Sequence, residues 1–579
     1  MKINKLYMIV GVVVMLSMIM TGCGPATTTV ASATSVPQTT VPPTAVPPTA
    51  IPPTTVPFVP ISLATKDCSY GGEFKSVEAV DQYTVKFTLC YPDPTFLDKV
   101  ASPIFAVYSS EYLKQTGGTG DLLDKPIGTG PYMLKEWDKG NQMVFVQNPN
   151  YWGTPAKNAT LVFRWSSEAA QRLLELQSGD VDGIDNIGSS DFTTVKNDPT
   201  LQLEIRPALN VFYVGMNNTF APFDNEQVRQ AVAMGIDRQR LVDNFFPPGS
   251  EVADSFTPCV VPNGCAGNPW YTFDPVKAKA LLAAAGYPNG FDTTITYRDV
   301  VRPYLPQPGV VAQDLQAQLK KNLNINAKIV VMESGTYLDS LYASKIGGLH
   351  LLGWTGDYPD VTNFLDFHFG VSGSAQFGKH FQDITDALTA GAKLADDAAR
   401  EPFYVTANNA ILQHVPMIPI AHSGSGVAYK ATVQNPIVSP TQNEAFAATY
   451  IQGQDTFVWM QNGEPLSMFC GDETDGDTAR ACLQVMESLY RYKSGGTTVE
   501  PALATSCDPN TDLTEWTCQL RKNVTFSNGD PLDANDVTQS FIMQWDDSSP
   551  LHVGRTGAFD YFSSLFGGFL NVPQPTPTP

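Results

Sequence analysis

The stretch LRKNVTFSNGDPLDANDV, residues 520–537, predicts a short strand, a tight turn at Asn528-Gly529 and the start of a helix. Asp533 is suited to cap that helix, and Asp536 follows three residues later, as in a capping box. Such a unit has an apolar face that other strands and helices must cover. About forty residues follow, and the last of them are VPQPTPTP, so we expect the covering elements to come from an earlier part of the chain.

Length and charge restrict the class of protein. A chain of 579 residues is too long for one hydrophobic core, so we expect two or three domains. The formal net charge of -21 argues against a nucleic-acid partner, because phosphate binding needs clustered Lys and Arg. The same charge disfavours an anionic bilayer surface as a partner. The 43% hydrophobic content is that of a soluble globular protein.

The N-terminal residues have the features of an export signal. Lys2 and Lys5 precede the apolar run LYMIVGVVVMLSMIM, which at about fifteen residues is short for a membrane-spanning helix. The run is followed by TGCG, which resembles the cleavage site of bacterial lipoproteins, with Cys23 as the lipidated residue. The alternative is an ordinary membrane anchor. We predict a signal peptide over residues 1–22 and an exported protein, lipid-anchored on the outer side of the cytoplasmic membrane, at the cell surface or in the periplasm.

The segment after the lipidated cysteine is unlike the rest of the chain. Residues 23–60 repeat Pro-Pro-Thr and carry no charged side chain, so they cannot build a core and should lie extended as polyproline II. We interpret them as a semi-rigid stalk that holds the folded part away from a membrane. Residues 573–579 are predicted to be a disordered tail.

Cysteine spacing indicates the redox surroundings. Of the nine cysteines, all except Cys23 fall into four pairs that are close in sequence. The pairs are Cys68 and Cys90, Cys259 and Cys265, Cys470 and Cys482, and Cys507 and Cys518. Local disulfides fit an exported protein. Zinc is the alternative, but the chain has no Cys-x-x-Cys and no matching His spacing, so we expect no metal site.

Strand and helix patterns alternate along the folded part. QYTVKFTLC, residues 82–90, alternates apolar and polar side chains, as a half-buried strand does. NEQVRQAVAMGIDRQRLVDNFF, residues 225–246, predicts a helix capped by Asp224. FDPVKAKALLAAAGYPNGF, residues 273–291, predicts a helix with Asp274 as N-cap and Gly286 as its stop. The mixture indicates an α/β fold.

Four stretches together resemble the oligopeptide/dipeptide-binding family, family 5, of the extracellular solute-binding lipoproteins that serve ABC importers. They are KPIGTGPYMLKEWDKGNQMVFVQNPNYWG (residues 125–153), LQSGDVDGID (176–185), VRQAVAMGIDRQRLV (228–242) and KALLAAAGYPNGF (279–291). Their order and spacing are usual for the family, and the resemblance covers nearly all of the chain after the stalk. It implies a two-lobed α/β clamshell like the periplasmic binding proteins (type II, cluster C), with an extra subdomain. It also implies a hinge of two segments, near residues 246–256 and 418–427.

Two further stretches stand in an order that differs from the family. VMESLYRYKSGGTTVEPALATS (485–506) and the opening stretch are similar to segments that precede KSVEAVDQYTVKFTL (75–89) in the family, but here they follow it. The resemblance therefore implies a circularly permuted chain, with residues 60–130 around residues 520–537. The alternative is a truncated receptor fused to an unrelated tail. The implied division is 61–130 plus 495–572 as the extra subdomain, 131–250 plus 428–494 as the core of lobe I, and 251–427 as lobe II.

The stretch LHLLGWTGDYPDVTNFLDF, residues 349–367, predicts a buried strand that ends at Gly353 and opens onto Trp354, Thr355, Gly356 and Asp357. A carboxylate just beyond a strand end is typical of a cleft in an α/β domain. The resemblance implies that Asp357 pairs with the α-ammonium of a ligand and that Trp354 forms a flat apolar wall. The alternative role for Asp357 is a helix cap, although Asp360 is better placed for that.

Three other residues complete the candidate binding site. The resemblance implies that Arg302, in YRDVVRPY, holds the ligand carboxylate through its planar fork. The alternative is an exposed Arg paired to a surface acid. Phe469 and Thr474, in EPLSMFCGDETDG, could face the cleft from the opposite lobe. The alternative for that stretch is a solvated acidic loop.

Enzymatic motifs are missing from the sequence. It contains no HExxH, GxSxG, Walker-type loop or complete Rossmann fingerprint, and its six His are scattered. We expect no catalysis and no cofactor. The predicted function is a monomeric receptor that captures di- or oligopeptides and delivers them to an ABC permease. The alternative cargoes are an oligosaccharide and a nickel chelate, and the alternative from another class is a cell-surface adhesin.

Overall fold

The computed structural model describes residues 57–299, 302–371 and 373–572. The predicted signal peptide, the lipidated Cys23, nearly all of the stalk and the predicted tail at 573–579 lie outside these residues. Within the described ranges, no helix combines the length and apolar character needed to cross a bilayer.

Helices are distributed through all parts of the folded chain. The α-helices are Phe96–Val100, Ser110–Thr116, Asp121–Asp124, Ala169–Ser178, Phe192–Asn197, Glu226–Gly235, Arg238–Phe245, Pro275–Ala284, Pro308–Leu323, Ser334–Tyr342, Val361–Phe369, Gln382–Gly391, Asp397–His414, Gly476–Val485, Ala534–Trp545 and Asp560–Phe566. Short 3-10 turns lie at Pro103–Phe105, Ala375–Phe377, Phe446–Ala448 and Cys470–Asp472.

Residues 520–537 lie against a five-stranded sheet that early and late parts of the chain build together. In spatial order its strands are Ser62–Ala64, Phe74–Asp81, Thr84–Leu89, Glu515–Leu520 and Ala504–Pro509. The early strand Thr84–Leu89 and the late strand Glu515–Leu520 are antiparallel neighbours. Next to them, the Leu520 N–H donates to the Tyr83 carbonyl oxygen at 2.7 Å. The Ala534 N–H donates to the Gln82 carbonyl oxygen at 2.9 Å. The expected neighbourhood of residues 60–130 and 520–537 is therefore confirmed.

The helix Ala534–Trp545 begins as the sequence predicts. The Asp533 side chain accepts from the Asn535 N–H, and the Asp536 side chain accepts from the Asp533 N–H at 2.8 Å, so the capping box is confirmed. The predicted strand before the turn is reduced to one bridge between Thr525 and Pro531. The turn itself needs a glycine, because Gly529 has a φ of +95°.

Aromatic rings join this helix to the five-stranded sheet. Phe541 packs edge-on against Phe87 with ring centroids 4.9 Å apart, and Trp545 lies 5.7 Å from Phe74. All four side chains are buried in one core. Such pairs contribute beyond their buried area, so the late helix stabilises the early strands. We call residues 61–130 and 495–572, which contain this sheet and helix, the subdomain.

The second sheet has seven strands and forms the centre of lobe I. In spatial order they are Tyr132–Asp138, Gln142–Gln147, Thr160–Trp165, Thr456–Gln461, Gly183–Ile184, Ser425–Lys430 and Leu201–Arg206. Strand Thr456–Gln461 runs parallel to Thr160–Trp165 and lies between strands that are distant in sequence. Small two-stranded ladders pair Val433–Gln434 with Tyr450–Ile451 and Tyr490–Tyr492 with Val499–Pro501.

The third sheet has six strands and forms the centre of lobe II. In spatial order they are Glu251–Val252, Met417–His422, Asn210–Met216, Leu349–Thr355, Asp292–Arg298 and Asn326–Met332. Helices cover this sheet, and their apolar side chains build a core separate from that of lobe I. The two-lobed α/β fold expected from the sequence is thus present.

Two short segments connect the lobes. Residues 207–209 lead from the seven-stranded to the six-stranded sheet, and residues 423–424 lead back. The segments are tied together where they cross, because Asn210 donates through Nδ2 to the Ser423 carbonyl oxygen and accepts from the Ser423 N–H, both at 2.9 Å. The predicted hinge at 418–427 contains the second crossing.

The predicted hinge at 246–256 is wrong. Strand Glu251–Val252 pairs with Met417–His422 inside lobe II, and the first crossing lies about forty residues earlier, at 207–209. The boundary between residues 250 and 251 is wrong for the same reason, since strand Asn210–Met216 already belongs to the six-stranded sheet. Its side chains are buried throughout, so this strand is central rather than a connection.

Helix caps and disulfides agree with the sequence except at one helix. Asp274 caps Pro275–Ala284 as predicted. The helix predicted over 225–246 is two helices, Glu226–Gly235 and Arg238–Phe245, and Asn225 rather than Asp224 caps the first. The structure joins the eight cysteines in the predicted local pairs, which are Cys68–Cys90, Cys259–Cys265, Cys470–Cys482 and Cys507–Cys518.

Candidate functional site

The candidate site begins where strand Leu349–Thr355 ends, near the middle of the six-stranded sheet. This strand is buried up to Gly353, where any side chain would collide with Tyr304 and the Val211 carbonyl. Beyond Gly353 the side chains of Trp354 and Thr355 are half-buried. Because successive side chains of a strand point to opposite faces, these two residues serve two different cavities.

Asn363 holds the turn after the strand in one shape. Its side-chain Oδ1 accepts from Trp354 Nε1 at 2.9 Å and from the Asp357 N–H at 3.1 Å. Its Nδ2 donates to Asp357 Oδ2 at 3.2 Å. Trp354 also stacks on Phe367 with ring centroids 4.5 Å apart. The indole and the carboxylate are therefore positioned before any ligand arrives.

A cavity of about 800 Å³ lies between this turn and the subdomain, and we call it the Asp357 cavity. Lobe II contributes Trp354, Asp357, Tyr358, Thr362, Asn363, Asp366, Phe367, Gly370, Val371, Leu388, Thr389, Ala392 and Lys393, and the subdomain contributes Tyr91, Pro92, Ser564 and Leu565. Its walls thus belong to both lobes. A solute bound here would touch both at once.

Burial shapes the electrostatics of the Asp357 carboxylate. Loss of water raises its pKa above the ordinary range, while hydrogen bonds from Asn363, from its own backbone N–H and from the Tyr561 hydroxyl of the subdomain act in the opposite direction. Within the described residues, Asp357 forms no ion pair with any Lys or Arg. A partly desolvated carboxylate with hydrogen bonds but no counter-ion is suited to bind a cation.

A second cavity, of about 540 Å³, lies beside the two lobe crossings, and we call it the hinge cavity. It is lined by the crossing residues Pro207, Ala208, Leu209, Ser423 and Gly424, by Thr355 and Arg302 of lobe II, and by Arg206, Asn462 and Asp477 of lobe I, among others. Arg302 is exposed, and its backbone forms a bridge with Leu305. The structure therefore places Arg302 and Asp357 at different cavities.

The floor of the hinge cavity rests on a buried ion network in lobe I. Arg206 pairs with Asp185 and Glu444, both at 2.8 Å. Arg480 pairs with the same two carboxylates at 2.8 and 2.7 Å. Each of these four side chains is at most 2% exposed. Burial raises the pKa of the neighbouring Asp477 to about 6, although Arg480 acts in the opposite direction.

Three predicted site residues lie away from both cavities. Phe469 is fully buried and packs edge-on against Tyr108 at 5.0 Å, so the prediction that it faces the cleft is wrong. Thr474 is exposed and lines neither cavity. Gly356 also lines neither cavity, and its N–H donates to the Leu209 carbonyl oxygen of the first crossing at 2.8 Å.

The acidic loop beside Phe469 is not the solvated loop of the alternative interpretation. Asp472 is 5% exposed and accepts backbone N–H groups from the turn at 555–559, with the Phe559 N–H at 3.0 Å. Glu473 holds Arg555 through two hydrogen bonds of 2.6 Å. The loop therefore connects the core of lobe I to the subdomain.

Sequence reasoning missed Asn363, Asp366 and the subdomain residue Tyr91. A signal for the first two was present, since Asp360 caps the helix Val361–Phe369 as predicted and thereby fixes which of its residues face the strand end. Tyr91 is joined to the site only through tertiary structure.

Comparisons with known proteins agree with this architecture. The family profile described as "Bacterial extracellular solute-binding proteins, family 5 Middle" matches residues 43–376 and 498–557. Di/tripeptide-binding protein 1 of Pseudomonas aeruginosa (strain UCBPP-PA14) is 33% identical over 381 residues, which are 63% of this chain and 69% of that protein.

Solved structures give the same result. HbpA2 from Haemophilus parasuis superposes with a TM-score of 0.63 at 34% identity, covering 66% of this chain and 76% of that chain. The dipeptide-binding protein of Pseudoalteromonas sp. SM9913, in complex with Met-Leu, superposes with a TM-score of 0.52 at 27% identity over the same shares, 66% and 76%. The chain belongs to family 5 of the bacterial extracellular solute-binding proteins.

Proposed function

We propose that this protein captures di- or oligopeptides between its two lobes and delivers them to the permease of an ABC importer. The observation that carries the proposal is the Asp357 carboxylate, which lies on the wall of a cavity shared by both lobes, is held by Asn363 and pairs with no Lys or Arg in the part of the chain that the structure describes. The α-ammonium of a peptide is the cation that this carboxylate fits. Two of the relatives are named as a di/tripeptide-binding protein and a dipeptide-binding protein, and these names support the same cargo.

Capture would follow from contacts made only when the lobes approach. A peptide amino terminus on Asp357 and Trp354 of lobe II would also touch Tyr91 and Leu565 of the subdomain. A ligand shifts the open and closed populations only through its different affinity for the two states, and these shared walls supply that difference. The crossings at 207–209 and 423–424 are the segments that would bend.

The opposite end of the ligand is assigned to the hinge cavity. Thr355 lies there while its neighbour Trp354 lies in the Asp357 cavity, so a chain running past the strand end meets both. Arg302, exposed in the hinge cavity, is proposed to receive the peptide carboxylate. The role is binding and delivery, without catalysis.

The location of the protein and its division into domains belong to the same proposal. Cys23 would carry the lipid, and residues 23–60 would hold the monomeric receptor off the outer side of the cytoplasmic membrane, next to its permease. The domain division we propose is the subdomain from 61–130 plus 495–572, with lobe II running from 210 to 422 and the core of lobe I made of the remaining folded residues.

We also infer that the chain is circularly permuted relative to its family. The late strands Ala504–Pro509 and Glu515–Leu520 complete a sheet begun by the early strands, and the family profile matches the chain in two separate pieces. A superposition onto HbpA2 that ignores chain order tests this. Residues 520–537 should fall on a segment that precedes the counterpart of residues 75–89, and a position after it would contradict the inference.

Calorimetry on the full chain tests the peptide cargo. We expect Ala-Ala to bind and N-acetyl-Ala-Ala to bind at least about 30-fold more weakly, because acetylation removes the cation that Asp357 pairs with, a loss of about 2 kcal/mol or more. Cello-oligosaccharides and a nickel–histidine chelate serve as the rival cargoes. Binding of either rival with no binding of dipeptides would contradict the proposal.

A further inference from the structure

One face of the helix Val361–Phe369 borders the Asp357 cavity. Asn363, Asp366 and Phe367 line the cavity, and their spacing of three and four residues places them on one side of the helix. Asn363 touches the Asp357 carboxylate at 3.2 Å. Asp366 therefore follows about one helical turn, 5.4 Å, farther along the same wall. The cavity holds two carboxylates rather than one.

Asp366 is the carboxylate whose bonds the protein leaves incomplete. Its Oδ1 is buried, and among the described residues it has no hydrogen-bond partner. Burial raises its pKa to about 7, with Asp360 adding to the effect while Arg400 and Lys99 oppose it. A buried carboxylate oxygen without a partner costs free energy, and a bound cation would remove that cost.

The two basic residues that lower the pKa of Asp366 are already paired with other acids. Arg400 holds Asp360 through hydrogen bonds of 2.6 and 2.8 Å. Lys99 pairs with Asp93 at 2.9 Å and with Glu73 at 3.1 Å. Neither of these two basic residues therefore forms an ion pair with Asp366.

The remaining walls also suit a cation. Trp354 and Phe367 present stacked rings, and Tyr91 lies on the opposite wall. Aromatic faces attract ammonium and guanidinium groups. Among the residues named above as lining the Asp357 cavity, the basic one is Lys393, and its side chain is exposed.

We propose that Asp366 is a specificity-determining residue that selects peptides whose first residue is Lys or Arg. The α-ammonium would bind Asp357, and the side-chain cation of the same residue would bind Asp366 beside the Trp354 and Phe367 rings. This inference rests on the proposed function, since it takes the Asp357 cavity as the place of the peptide amino terminus. It concerns a different carboxylate and a different part of the ligand.

Calorimetry with Lys-Ala and norleucine-Ala on the full chain tests the inference, because these two dipeptides differ mainly in the side-chain charge. We expect the wild type to bind Lys-Ala about tenfold more tightly. Asp366→Asn should reduce that ratio to about two or less. The exposed Asp386 of lobe II provides the matched control, and Asp386→Asn should keep the wild-type ratio.

The outcomes separate the two proposals. Tight binding of both dipeptides with equal affinity by the wild type would overturn the selection by Asp366 and leave the peptide receptor standing. A tenfold ratio that persists in Asp366→Asn would overturn the assignment to Asp366. Binding of neither dipeptide would overturn both the receptor proposal and this inference. The wild-type comparison needs no variant to fold.

Discussion

Asp357→Asn is expected to weaken binding of a free dipeptide by about 2–5 kcal/mol, or roughly 30- to 5,000-fold in Kd. The substitution keeps the size of the side chain and its contact with Asn363, which donates to Asp357 Oδ2 at 3.2 Å. It removes the negative charge that faces the ligand ammonium in a cavity already shielded from water. Truncating one partner of such a pair leaves the other buried without compensation.

A double-mutant cycle isolates the interaction. The affinities of Ala-Ala and N-acetyl-Ala-Ala are measured by calorimetry on the wild type and on Asp357→Asn. N-acetylation should cost much less in the variant than in the wild type, since the pair is already broken there. Equal costs in the two proteins, or an unchanged affinity for Ala-Ala in Asp357→Asn, would show that Asp357 does not receive the ammonium.

The buried ion network of lobe I gives the largest expected effect on stability. Arg480→Met should lower the free energy of unfolding by about 3–5 kcal/mol, because among the described residues Arg206 is then the one cation that still pairs directly with Asp185 and Glu444. Burial opposes ionisation of Asp185, and Arg480 and Arg206 outweigh it and lower the pKa of that carboxyl. Removing one of the two guanidinium groups therefore leaves uncompensated negative charge buried inside the lobe.

An exposed ion pair provides the control for this measurement. Arg240 of lobe II pairs with Asp314 at 2.7 Å and is 53% exposed, so Arg240→Met should cost less than about 1 kcal/mol. Urea unfolding of the three proteins at pH 7 compares them. Similar losses in the two variants would mean that burial does not strengthen the network, and the proposed support for the hinge cavity would be wrong.

The sequence predicted local features well where the residues that make them are adjacent. Asp360 caps its helix, Asp274 caps another, and the capping box at Asp533 forms, because each depends on a few neighbouring residues. The strand Leu349–Thr355 was predicted from its apolar run, but it extends two residues beyond Gly353, where the sequence placed its end.

Features that depend on tertiary structure were predicted poorly. The side chain of Phe469 points into a core made by Tyr108 and Phe559, which are far away in sequence. The first lobe crossing at 207–209 was misplaced because strand Asn210–Met216 looks the same in either lobe until its partners are known. Asp366 belongs to the site only through tertiary structure, because one face of its helix borders the cavity.

The position of a bound peptide tests the central claim most directly. In a crystal structure of the full chain with Ala-Ala, the α-ammonium nitrogen should lie within about 3.2 Å of the Asp357 carboxylate, with Trp354 on one side and Tyr91 of the subdomain on the other. A peptide seated outside the space between the lobes, or one that turns its amino terminus away from Asp357, would contradict the account.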